Sequence, residues 1–132
     1  MTRAFGYAPS AEDMQRVAEQ VFADIPEGLR RHVDGVAILI EEFAEAQTLN
    51  DMGIDDPFNL LGLYHGVSID HKSVLDAPGD IDRIFLYRRP LLDLWAAGED
   101  TLEDIIKNVL IHEIGHHFGL SDDDMHRLED EV

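Results

Sequence analysis

Two histidines four residues apart, with a glutamate after the first, stand in the run His112-Glu113-Ile114-Gly115-His116. On a helix, positions four apart share a face and differ by about 6 Å of rise, so two imidazoles there can converge on one metal ion. Glu113 is the informative member. On a helical wheel it projects near Leu102 and Ile106, inside the apolar arc, where a carboxylate needs a cation, a partner or a reaction to serve. Gly119 can take a left-handed conformation that ends the helix and turns the chain back, bringing Asp122 beside the histidines as a third ligand. Asp123 and Asp124 compete for that place, but only Asp122 has the spacing after Gly119. Three protein ligands leave a fourth position open, as in catalytic rather than structural zinc sites. The competing reading is a pair of core histidines in a buried salt bridge with Glu113. In a shuffled chain of this composition, His-Glu-x-x-His would arise with a probability of roughly 0.03, and the form extended to Gly119 and Asp122 with roughly 0.0003.

The helix that must carry this motif starts with Thr101 as N-cap, three residues before Asp104. Leu102, Ile105, Ile106, Val109 and Leu110 form one stripe, and Ile111, Ile114 and Phe118 lie on the other side. A helix apolar nearly all round is a buried helix. Gly119 stops it, and Ser121 caps a last short helix through Leu128. Near the start, Ser10 and Asp13 form a capping box with aspartate in place of glutamate, and Met14, Val17, Ala18, Val21 and Phe22 recur at helical spacing up to Pro26. A further helical turn covers Glu27 to His32.

Three runs read as strands. Gly35 to Ile40 is continuously apolar, predicting a strand covered on both faces, and Asp82 to Tyr87 reads as interior for the same reason. Leu60 to Gly66 carries Gly62 and Gly66, which suit a sheet edge or a place of close approach. Asn50 to Pro57 reads as a polar loop, and Val67 to Asp80 as a long loop with a turn at Pro78-Gly79. Pro90 closes the third strand, and Leu91 to Ala97 forms a short helix stopped by Gly98. Helix, three strands and helix make an α+β domain spanning residues 1–132.

Composition excludes several classes. With 28 acidic against 10 basic residues the net charge is −18, and only Arg30-Arg31 and Arg88-Arg89 put two cations side by side, so no phosphate-binding surface is expected. Anionic lipid is repelled equally. There is no cysteine, hence no disulfide framework and no thiol nucleophile. No signal-peptide stretch and no membrane-spanning run is present, which predicts a soluble cytoplasmic protein without nucleic-acid or membrane partners, either a monomer or a homodimer.

The segment His112 to Asp122 resembles the extended Asp-zincin pattern His-Glu-x-x-His-x-x-Gly-x-x-Asp. With the short chain, Leu61-Gly-Leu-Tyr-His-Gly66, Arg88-Arg-Pro90 and His116-His-Phe-Gly-Leu-Ser-Asp122, the sequence is similar to the small bacterial zincin-like metallopeptidases. That resemblance implies a minimal zincin-like fold: a small twisted sheet of about three strands against a backing helix and a buried active-site helix. It implies zinc on His112, His116 and Asp122, with Glu113 as general base. In such a site Glu113 takes a proton from the attacking water and passes it to the leaving amine. An extended peptide would add antiparallel to the edge strand Leu60, Leu61, Gly62, Leu63, Tyr64, His65 and Gly66. Met125 follows Asp122 too closely to be the methionine turn of metzincins, and with ten residues after Asp122 no lower subdomain is expected.

Tyr64 and His126 are candidate transition-state stabilisers, with aromatic packing and a surface position as their plainer alternatives. Tyr64 and His65 point to opposite strand faces, so only one can reach the cleft. His117 projects about 100° from His116, which favours a packing or hydrogen-bonding role over ligation. The first functional expectation is a zinc peptidase, its acidity favouring cationic peptides. The second is a zincin-fold metal-binding protein without turnover. The third, a metal-dependent endoribonuclease with histidines at the same spacing, is opposed by Glu113 and by the acidity.

Overall fold

The computed structural model describes residues 7–33, 35–66, 81–121, 123–125 and 127. Helix α1 spans Ala11–Ala23 and opens with the expected capping box: the Asp13 N–H donates to Ser10 Oγ at 3.0 Å and the Ser10 N–H to Asp13 Oδ2 at 2.9 Å. Removing the hydroxyl in Ser10→Ala should cost about 1 kcal/mol, read by urea denaturation. Glu27–Arg30 forms α2, followed by a 3-10 turn over Arg31–Val33.

Among the described residues the sheet has three strands, β1 (Ala37–Glu41), β2 (Gly62–His65) and β3 (Arg83–Tyr87), in the order β1-β3-β2. β3 runs parallel to β1, with Ile38 opposite Ile84, and antiparallel to β2, with Tyr64 opposite Ile84. The alternation of β3 explains its apolar run. Ile84 and Leu86 face the main core beneath α1 and the long helix α5 (Leu102–His117). Tyr87 and Phe85 face a second cluster with Ala44, Leu49, Ile54, Leu60 and Leu63. Both faces are covered, as expected of the interior strand.

β1 corrects the reading of Gly35 to Ile40. Gly35 is a turn residue at φ 79°, the strand starts at Ala37, and it is an edge strand. Ile38 is buried, but Leu39 on the opposite face is 38% exposed. Apolar composition alone does not cover a second face; a neighbouring element must do so. β2 occupies the other edge, where its glycines placed it.

Two helices differ from expectation. Ala46–Asp51 forms α3 inside what reads partly as loop; it buries no residue and has no side-chain cap, so it lacks the apolar stripe that would announce it. Helix α4 spans Arg88–Ala97 rather than starting at Leu91. Pro90 lies in its first turn, where the missing N–H has no intrahelical partner to lose. The expected loop over Val67 to Asp80 lies outside the described residues. Among the described residues no helix is long and apolar enough to cross a membrane.

Candidate active site

Helix α5 packs against α1, α4 and β2. Ile106, Leu110, Ile111 and Ile114 are fully buried, in keeping with its nearly all-round apolarity. Its start is capped by Thr101, whose Oγ1 accepts the Asp104 N–H at 3.1 Å. Its end is a Schellman turn: the Leu120 N–H donates to the Gly115 carbonyl at 2.8 Å and the Gly119 N–H to the His116 carbonyl at 3.2 Å, with Gly119 at φ 76°. An L side chain at this angle is strained, so Gly119→Ala should destabilise the protein by about 1–2 kcal/mol and Gly119→Asn by less, measured by chemical denaturation. Beyond the turn, the Asp124 N–H donates to Ser121 Oγ at 3.1 Å, the cap expected for the last short helix.

His112 and His116 lie one turn apart on α5, with ring centres 5.9 Å apart and ring planes at 67°. His112 is half-buried and His116 exposed. At a zinc–nitrogen bond of about 2.1 Å and a tetrahedral angle, two imidazoles sharing an ion have ring centres about 5.3 Å apart, so the observed 5.9 Å is within a small side-chain adjustment of one ion. Among the described residues no group of three ligating side chains gathers at one point. Asp122 and His126 lie outside the described residues.

Glu113 projects from α5 toward β2. Its Oε1 accepts the Tyr64 N–H at 3.2 Å. The Tyr87 N–H donates to the Leu61 carbonyl, so Leu61 faces β3, and by alternation Gly62 and Tyr64 turn their backbone groups to the edge that carries no further strand among the described residues. Half-burial pushes the Glu113 carboxyl above its ordinary value, opposed by the Tyr64 N–H and then by His116 and His112. A desolvated carboxylate beside two imidazoles is a stronger proton acceptor than one in water.

Tyr64 itself is buried, on the α5 side of β2, while His65 is exposed on the other face. The Tyr64 ring stacks on His117 with centres 4.0 Å apart at 19°, packing being one of the two roles expected of His117. Its hydroxyl donates to Asp82 Oδ2 at 2.7 Å. Burial, then the hydrogen bond and charge of Asp82, hold that phenol well above its ordinary range. The hydroxyl is thus already bonded to a carboxylate, and the aromatic-packing alternative describes where Tyr64 sits. Tyr87, beneath the same end of the sheet, is pushed up to about 12 by burial and then by Glu41, Glu113 and Glu45.

Three glycines let α5 and its C-terminal turn approach their neighbours. A Cβ on Gly62 would lie 2.8 Å from Val109 Cγ1 and 3.0 Å from the Phe85 carbonyl; one on Gly66 would strike the His117 ring; one on Gly115 would lie 2.5 Å from Met125 Sδ. Met125 is fully buried. Sequence reasoning anticipates close approach at Gly62 and Gly66, but not the Met125 contact or the Asp82 hydrogen bond, whose residues carry no spacing signal. It also misses an elongated cavity of about 380 Å³ running from Glu113 and His112 along α5, with Asp100 at its rim.

A histidine pair on a buried helix, with a carboxylate directed at the edge strand of a small mixed sheet, defines a zincin-like α+β protein. The profile of the zincin-like metallopeptidases matches residues 33–132, and the chain belongs to that family. Among solved structures it is similar to a conserved hypothetical protein from Thermo thermophilus, at 23% identity and a TM-score of 0.54, covering 83% of this chain and 94% of that one. That likeness concerns the fold alone. No curated protein matches.

Proposed function

We propose that this protein is a zinc-dependent peptidase, and the observation that carries the reading is the Glu113 contact with the Tyr64 N–H. It ties the one acid between the two histidines to the outward-facing edge of β2, where an extended peptide would add as a further strand. His112 and His116, with Asp122 completing the set, would hold the ion. Bound there, zinc would supply Lewis acidity, making a water acidic and polarising a carbonyl at neutral pH.

The chain's own groups do the rest. Glu113 accepts the proton of the attacking water, which its half-buried position favours, and delivers it to the departing amine as the carbon–nitrogen bond breaks. With the Tyr64 N–H held by Glu113, the Tyr64 carbonyl and the backbone groups of Gly62 align the peptide so that its carbonyl lies beside the histidine face. Tyr64 acts through its backbone, while its ring, stacked on His117, fixes α5 against the strand.

The test is direct. Elemental analysis of purified protein should find one zinc per chain, lost in His112→Ala and His116→Ala, and the zinc-loaded protein should cleave a mixed peptide library. No zinc after reconstitution would overturn the metal assignment, and zinc without cleavage would favour a binding role.

A further inference from the structure

The cavity that opens from Glu113 and His112 runs between the N-terminal half of α5 and the lead-in to β2. Its floor is apolar, made by Ile105 and Val109 of α5 with Leu60 and Leu61, and Leu94 of α4 forms a wall. Leu94 is 44% exposed, the only large apolar side chain of α4 left so open. The rim is polar: Asn59, Asn108 and Asp100. Asp100 sits in the short link between α4 and α5 and makes no hydrogen bond or ion pair among the described residues. Among the described residues no lysine or arginine lines the cavity. At about 380 Å³ it is large enough for one long side chain.

We infer that this cavity is a substrate subsite for the side chain of a lysine or arginine next to the scissile bond, with Asp100 as its counter-charge. This rests on the peptidase reading above. An aliphatic stem with a cationic head matches an apolar trough with an unpaired acid at its far end, since such side chains bury their methylenes while keeping the charge wet. A glutamate or aspartate would bring its charge against Asp100 in a protein that is already strongly acidic. The cavity flanks the start of β2. For a peptide antiparallel to that strand, the commoner pairing, it therefore takes the residue on the C-terminal side of the cleaved bond.

The probe is a synthetic pool of acetylated octapeptides randomised at their four central positions. Cleavage by the zinc-loaded protein, mapped by mass spectrometry, should show lysine and arginine enriched directly after the break and acidic residues depleted. In Asp100→Asn the ratio of basic to leucine cleavage should fall about five-fold, as for a solvent-exposed ion pair. Asp100→Lys should invert the preference toward glutamate. Retention of the same pool on immobilised Glu113→Gln protein, with and without Asp100→Asn, reads binding without turnover. Charge-selective, Asp100-dependent retention without wild-type cleavage would leave the subsite standing and remove the peptidase reading. Cleavage with no dependence on Asp100 would do the reverse, and neither binding nor cleavage would overturn both.

Discussion

Glu113→Gln should lower peptide cleavage by about a hundred- to ten-thousand-fold, the range for losing a general base, while leaving zinc at one equivalent per chain. Glutamine keeps the size of the side chain, and its amide oxygen can still accept the Tyr64 N–H that Glu113 accepts at 3.2 Å. Helix α5 and the edge strand therefore stay in register, and what disappears is the ability to take a proton. Cleavage within ten-fold of wild type would show that another group is the base. Loss of zinc in the variant would show that the carboxylate holds the ion instead.

The same substitution has a stability signature in metal-free protein. Burial raises the folded pKa of Glu113 above its ordinary 4.5, so the native state holds this proton more tightly than the unfolded chain does. Its contribution to stability is complete below pH 4.5 and is lost as pH rises through the folded value. Glu113→Gln lacks this loss. Urea titrations from pH 4 to 7 should show the variant gaining on wild type as pH increases; a constant difference would mean that the carboxyl is not desolvated.

How much of this is legible depends on whether a residue's role is set locally. The caps at Ser10 and Thr101, the stop at Gly119 and the histidine pair on one face are consequences of spacing along one helix, and the chain shows them in its letters. The edge position of β2 is legible because Gly62 and Gly66 are poor residues for a central strand. β1 misleads because its apolar run is shared by interior strands and edge strands alike, and only the position of its neighbours decides between them. α3 has no apolar stripe to read. Tyr64 on Asp82, Gly115 on Met125 and Asp100 at the cavity rim join residues that no local pattern brings together.

Helix α5 serves both as core and as carrier of the site, and the two roles can be separated at Ile111. This side chain is fully buried next to His112, in the core cluster with Ile84, Leu86 and Leu110. Ile111→Ala should cost about 2–5 kcal/mol, from lost transfer energy and the cavity left behind, and Ile111→Val about 0.5–1.5 kcal/mol. Since a small domain holds only about 5–15 kcal/mol, the alanine variant in chelator should lose a large share of its stability and unfold at a clearly lower midpoint. Zinc binds only the folded chain, so an ion concentration a thousand times its Kd restores about 4 kcal/mol by mass action. Circular dichroism of Ile111→Ala should therefore show a lowered unfolding midpoint in chelator that rises as zinc is added. A variant within about 0.5 kcal/mol of wild type in chelator would place α5 outside the core. One whose midpoint does not move at saturating zinc would mean that the histidine face is too weak a site to stabilise its own helix.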